Sequence, residues 1–389
     1  MDYVRLYEHL KSKVSSDIDR IDLSPGLSVH NFSFQSCHAD LLPGQEETPH
    51  SEAAMLDVAD ALVAENRDFR YHVFQPRSRA KSEGMILLLH GFNEKNWNKY
   101  LPWAAKLVES TGKAVVLFPL AFHMNRAPSP WSDARLMRAV SNRRKEEFPE
   151  ILHSSLLNAA ISTRLHRNPQ RFIWSGLQTF EDIRDFVAHC REGEHPLFEK
   201  NPTVDIMAYS IGGFLSEVLM LSDPDTLFSE SRLFILCGGP VFNRISPVSK
   251  FILDSEANVR LYSYLVEHLE SHLKHDSKLF TYLNDTSGTG VAFRSMLSYQ
   301  HMANFREAGF RRMADRIAAV ALAGDEVIPP YEVENTLRGR TRNIPISVET
   351  FDFPYPYKHE DPFPALARHS SEVNTAFHEV FETVGAFLK

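Results

Sequence analysis

Apolar positions along this chain change period several times, and each change marks an element. Residues 85–89 form an unbroken apolar run, the mark of a strand covered on both faces. Leu101, Ala104, Leu107 and Val108 then recur at helical spacing, closed by Gly112. A second apolar run over 114–118 follows, so this stretch is the size of one βαβ unit. Further runs at 203–207, 233–237 and 317–323, with a weaker one at 344–348, predict more core strands. Helical stripes lie between several of them. One uses Phe180, Ile183, Val187 and Cys190, with Thr179 and Asp182 spaced like a capping box. The last uses Val373, Phe377, Val380, Phe381, Val384 and Phe387, with Ser370 or Ser371 as its expected N-cap.

Strands alternating with helices predict an α/β fold, a doubly wound and mostly parallel sheet. Residues 1–80 read as an extension ahead of it. Tyr3, Leu6, Tyr7 and Leu10 make a short amphipathic stripe, and the segments around Val29–Phe34 and Tyr71–Phe74 alternate like half-buried strands of an antiparallel edge. A polar loop, 42–49, separates these two segments. Residues 81–240 form the first part of the core and 311–389 the second. Two long excursions, 120–170 and 241–310, interrupt the alternation. The second carries a stripe of Leu261, Tyr264, Leu265 and His268, then a Gly/Thr/Ser loop at 285–290. Insertions at the carboxyl ends of strands sit over the crevice of such a sheet, so 241–310 is expected to be a helical cap placed before the next core strand.

One hinge carries chemistry. The run 203–207 ends at Tyr209, and a helical stripe of Phe214, Leu215, Val218 and Leu219 begins at Ile211. Ser210 lies between them, with small residues two places before it (Ala208) and two after (Gly212). Such a turn lifts the serine hydroxyl clear of the sheet and aims the next backbone N–H, that of Ile211, at a developing oxyanion. The stretch resembles the nucleophile elbow of the α/β-hydrolase superfamily, with Ala208 in place of its first glycine. Read without that likeness, Ser210 could equally be a helix-capping serine.

The resemblance implies an acid and then a base, each after a later strand. The run 317–323 ends in Gly324-Asp325-Glu326-Val327-Ile328-Pro329-Pro330, similar to the superfamily's acid loop, and Asp325 is the implied carboxylate. His359 follows the last strand territory, 344–353, in a Pro-rich loop, and is the implied base; His369, beside Ser370 and Ser371, is its competitor. His90-Gly91-Phe92-Asn93, directly after the run 85–89, resembles the oxyanion loop. Gly91 lets the backbone turn so that the Phe92 N–H can join that of Ile211, and His90 is expected to anchor the loop. The resemblance spans residues 70–389 as architecture and these four short stretches as motif.

Composition narrows the partners. The chain of 389 residues is 43% hydrophobic and 24% charged, with a net charge of −8, so nothing favours nucleic acid. Cys37, Cys190 and Cys237, odd in number and widely spaced, fit a reducing compartment and no disulfide scaffold. The first residues lack a signal-peptide pattern, and no run approaches the roughly 18 apolar residues of a membrane span. A cytoplasmic protein without a membrane span is expected. No phosphate-binding glycine loop occurs. His268 and His272 are one helical turn apart but have no third ligand, so no metal and no organic cofactor is expected.

Asn93, Tyr209 and Arg126 are expected near a substrate, Arg126 as the group suited to a carboxylate or phosphate. Phe122 and Trp131, in the same excursion, read equally as pocket rim or core, and Cys237 as a buried thiol. The expectation is a serine hydrolase acting on a small-molecule carboxylic ester or thioester through Ser210, His359 and Asp325. A serine peptidase or amidase, or a non-catalytic binding protein on the same scaffold, is the alternative. No feature of the sequence specifies an oligomeric state.

Overall fold

A computed structural model describes residues 2–24, 26–42, 56, 58–284 and 288–389. Most of the polar loop 42–49 and the first half of the loop 285–290 lie outside the described residues. The chain opens with helix α1 (Tyr3–Lys13), capped by the Asp2 carboxylate. Strands β1 (Arg20–Ser24) and β2 (Leu27–Gln35) follow, then one helical turn, α2 (Ala64–Arg67), and β3 (Asp68–Pro76). These three strands pair antiparallel, β1 with β2 and β2 with β3, and extend one edge of the sheet. Strand β1 does alternate, with Ile21 and Leu23 between polar residues, but five residues with only two apolar positions were too short a pattern to be read as a strand.

The parallel part begins with β4 (Ser82–Leu89), α3 (Tyr100–Thr111) and β5 (Ala114–Leu117). Helix α3 stops at Gly112, whose φ of 70° is the left-handed cap conformation that glycine adopts without cost. Helices α4 (Ala134–Glu147), α5 (Ala159–Arg167) and α6 (Arg171–Glu192) lead to β6 (Phe198–Tyr209) and α7 (Ile211–Ser222). After β7 (Leu233–Leu236) come α8 (Ser255–Tyr262), a π-helical turn, α9 (Leu269–Leu273), α10 (Ser277–Leu283), α11 (Thr289–Ser295) and α12 (Ala303–Arg312). The core resumes with β8 (Ile317–Leu322), α13 (Pro330–Leu337), β9 (Ser347–Phe351) and α14 (Ser370–Leu388).

Nine strands form one sheet in the order β1-β2-β3-β5-β4-β6-β7-β8-β9, parallel from β5 to β9. Core side chains alternate between its faces, as the pleat requires. Met85, Leu87 and Leu89 join one cluster with α6, α7 and α13, while Ile86 and Leu88 join the other with α1, α3 and α14. The chain leaves β4 toward β5 on one side and returns to β6 on the other. The carboxyl ends of β4 and β6 therefore flank the crevice where such sheets bind ligands.

Two helix starts differ from the sequence reading. Helix α6 begins at Arg171, so Thr179 and Asp182 are interior. Thr179 donates its hydroxyl to the Ser175 carbonyl and accepts from the Ala121 N–H, and Asp182 pairs with Arg126. Helix α14 starts at Ser370, with His369 in the N-cap position and no side-chain cap bond. Thr289 and Gly290, read as loop, open α11; a Cβ on Gly290 would lie 2.5 Å from the Leu283 backbone, so α10 and α11 cross closely there.

The two excursions clasp each other. Arg144 of α4 makes a bidentate pair with Asp254 at the start of α8, at 2.7 and 2.8 Å, with both groups buried. Asn158 donates to the Ser249 carbonyl at 2.8 Å, and Ser162 accepts from the Asp254 N–H at 3.1 Å.

Candidate active site

Ser210 occupies the sharp turn between β6 and α7 with φ 55° and ψ −121°, a backbone conformation that ordinary L-residues avoid. Tight packing holds it. A Cβ on Gly212 would lie 2.5 Å from the Leu89 carbonyl oxygen, and one on Gly238 would lie 3.0 Å from the Ser210 carbonyl oxygen. These two glycines let α7 and the β7 loop close on the turn. Ala208, two residues before the serine, is buried within the β6 ladder between Leu89 and Ile235 and fits without strain.

The Ser210 hydroxyl lies 2.7 Å from His359 Nε2, and His359 Nδ1 lies 2.7 Å from Asp325 Oδ2. Since a carboxylate only accepts, Nδ1 carries the proton and Nε2 presents its lone pair to the serine. Asp325 Oδ1 accepts the N–H groups of Val327 and Ile328, at 2.9 and 2.8 Å, which fixes the carboxylate plane. All three side chains are nearly closed from bulk water: Ser210 is 9% exposed, His359 4% and Asp325 3%. His369 sits at the start of α14 with its ring beside Tyr355, and His359 is the histidine that meets the serine.

His359 is held from several sides. Tyr209, adjacent to Ser210, donates its hydroxyl to the His359 carbonyl, and the two rings stack at 5.6 Å. Lys99 donates to the Glu360 carbonyl at 2.8 Å, pairs with Glu94 and lies over the Tyr209 ring. Tyr357 links the two loops: its hydroxyl accepts from the Gly324 N–H at 2.7 Å and donates to Asp352 at 3.1 Å. Lys99 and Tyr357 escaped the sequence reading because the contacts that tie them to this loop system are to the backbone of Glu360 and Gly324, and a backbone partner leaves no sequence pattern.

On the opposite flank, His90 lies fully buried after β4. Its Nδ1 faces the Gly91 carbonyl at 2.8 Å and its Nε2 accepts the Leu120 N–H at 3.0 Å. Burial drives its pKa well below the ordinary value, so it is neutral and structural. Gly91 donates its N–H to the Tyr100 hydroxyl at 2.9 Å, and a Cβ there would crowd the Tyr209 ring at 3.0 Å. Phe92 and Ile211 both wall the small apolar space that reaches Ser210.

The three expected substrate contacts all have partners within the protein. Arg126 is 0% exposed, bonded to Asp182 at 2.7 Å and to Asn66, with its guanidinium over the Phe69 ring. It is a core ion pair, and no ligand reaches it. Tyr209 points to the sheet face opposite Ile206 and Ala208 and supports His359. Asn93 borders a polar cleft, but its amide nitrogen is spent on the Leu157 and Phe251 carbonyls, one from each excursion. Phe122 and Trp131 are core residues, stacked on each other. Among the described residues no cluster of His, Cys, Asp or Glu could hold a metal ion, and no helix is long and apolar enough to cross a membrane.

The sheet order, the strained turn after β6 and the three linked side chains define a protein of the α/β-hydrolase fold. The chain belongs to DUF6051, a family of unknown function whose model matches residues 1–389. Solved structures of similar shape include carboxyl esterase 2 from the mycorrhizal fungus Tuber melanosporum, at 10% identity, full coverage of both chains and a TM-score of 0.48. A bacterial heroin esterase aligns at 15% identity over 100% of this chain and 90% of its own, with a TM-score of 0.43. A thermostable esterase from Pseudomonas putida aligns at 11% identity over 99% and 88%, with a TM-score of 0.37. No curated protein matches the sequence.

Proposed function

We propose that this protein is a serine hydrolase that cleaves a small-molecule carboxylic ester or thioester. The observation that carries the reading is the chain of contacts Asp325–His359–Ser210, with both links at 2.7 Å and the serine on a turn of positive φ. A serine hydroxyl becomes a competent nucleophile when a neutral imidazole can take its proton. His359 Nε2 accepts that proton as the Ser210 oxygen bonds to the acyl carbon. Asp325 holds the Nδ1 tautomer and stabilises the imidazolium. The backbone N–H groups of Phe92 and Ile211 receive the oxyanion, each worth about 3 kcal/mol of barrier. His359 then protonates the leaving oxygen or sulfur, and the same histidine activates water to release the acid. The steps call on no metal or organic cofactor.

A fluorophosphonate probe tests this directly. The expected result is stoichiometric labelling of the wild type and none of Ser210→Ala. Absence of labelling in protein that melts cooperatively would instead make the fold a binding scaffold.

A further inference from the structure

We infer that the acid half of the substrate is a long aliphatic chain and the leaving group is polar; the inference rests on the hydrolase reading and deepens it. The two sides of Ser210 differ in chemistry. On one side a small apolar chamber of about 40 Å³ touches the serine. Beyond it, between α6, α7, α10 and α11, lies a second chamber of about 100 Å³. Phe92, Phe172 and Ile211 wall both, so a chain leaving the serine for the deeper chamber passes these three side chains. Phe172 lies at the centre of this partition, with ring centroids 6.5 Å from Phe92, 6.3 Å from Phe214 and 5.6 Å from Phe242.

Among the described residues neither chamber is lined by a charged side chain. His123, which lines the deeper one, has its pKa driven down to about 3 by burial and is neutral. A space of this kind takes hydrocarbon and rejects charge.

On the other side, His359 borders a polar cleft of about 580 Å³ together with Lys250, Glu326, Lys358 and Glu360. The leaving atom must sit beside His359 Nε2 to receive its proton, so the leaving group is placed on the cleft side. The acyl chain is left with the apolar side.

Gly176 supplies a plug for the test. It lines the deeper chamber on α6, and a Cβ built on it meets nothing within 4 Å. A side chain there fills the chamber without disturbing the helix, which gains propensity. Hydrolysis of p-nitrophenyl acetate, butyrate, octanoate and dodecanoate is measured for the wild type, Gly176→Leu and Gly176→Phe, with thermal melts as the check on folding. The expected wild-type kcat/KM rises at least tenfold from acetate to octanoate, against a ceiling of about fourfold per buried methylene. Both plugs are expected to collapse the octanoate-to-acetate ratio at least tenfold, the phenyl more than the leucyl.

A flat or falling wild-type profile overturns the inference, as does a ratio that folded Gly176→Leu leaves unchanged. Probe labelling of Ser210 without hydrolysis of any of these esters overturns the inference while the nucleophile reading stands. Failure of labelling and hydrolysis together removes both.

Discussion

Tyr209 and His359 are bonded through the wrong atoms for a substrate site and the right ones for a support: a side-chain hydroxyl on one meets the backbone carbonyl of the other. Since Ser210 meets the same histidine through its ring, two consecutive residues of the β6 turn grip His359, one by its backbone and one by its imidazole. Tyr209→Phe removes the donor and leaves a buried carbonyl unpaired, at a cost of about 1–3 kcal/mol. The expected outcome is a roughly tenfold fall in kcat with KM nearly constant, and a lower Tm. A KM effect larger than the kcat effect in steady-state kinetics would return Tyr209 to the substrate side.

Asp325→Asn keeps an oxygen for the Val327 and Ile328 N–H groups but can present an NH₂ toward His359 Nδ1. The imidazole then favours the tautomer whose Nε2 carries the proton, and it can no longer act as base. The expected loss in kcat is about 10³–10⁴-fold with Tm little changed. Retention of more than a tenth of the wild-type rate would exclude Asp325 as the orienting acid.

The Arg126–Asp182 pair makes a stability prediction in place of a binding one. Arg126→Met strands a fully buried carboxylate and is expected to cost about 3–5 kcal/mol. Adding Asp182→Leu should recover most of that in denaturant melts. Activity per folded molecule is expected to be unchanged in the double variant. A selective rise in KM there would contradict the core assignment.

Acid lability follows from histidines buried in neutral form. Burial pulls His72 and His195 down to about 4 and His123 to about 3. Each folded-state value lies below the unfolded value near 6.5, so the unfolded chain binds more protons between them. Stability is therefore complete above pH 6.5 and falls as pH drops toward 4. At pH 5 each group costs about 2 kcal/mol. Tm should decline steeply from pH 7 to pH 5, beyond what carboxylate protonation alone gives at that pH. A flat Tm over this window would show these rings to be open to water in solution.

Gly212→Ala and Ala208→Gly form a matched pair. The first sets a methyl against the Leu89 carbonyl at 2.5 Å and must displace either α7 or the oxyanion loop. At least a hundredfold loss of kcat/KM or loss of folding is expected. The second removes one methyl from a site without strain and is expected to cost about 1 kcal/mol of stability and little rate. Equal effects, read by kinetics and melts on both proteins, would mean that the elbow tolerates either residue.

What the sequence discloses follows from how local each signal is. Continuous apolar runs marked β4, β5, β7 and β8 because strands covered on both faces need no second half of a pattern. The meeting of Ser210, Asp325 and His359 was legible because each follows a strand, and strand order brings them to one edge. Arg126 misled for a physical reason: a guanidinium looks the same in sequence whether it faces a ligand or a carboxylate 56 residues away. The start of α6 was hidden because the first turns, Arg171 to Gln178, mix apolar and polar side chains that pack toward several neighbours at once. Tyr209 reads as the last apolar position of a strand, and its hydroxyl has a partner 150 residues away.

The clasp between Arg144 and Asp254 has a consequence for how the roof over Ser210 can move. Because the two inserted segments are riveted by a buried bidentate pair, neither can swing alone without stranding a charge. Entry and exit of ligand must use motions of the assembled roof, or rearrangements of side chains such as Phe172 beneath it. A change of specificity is correspondingly a concerted matter, since reshaping one segment changes the seat of the other, some 110 residues along the chain.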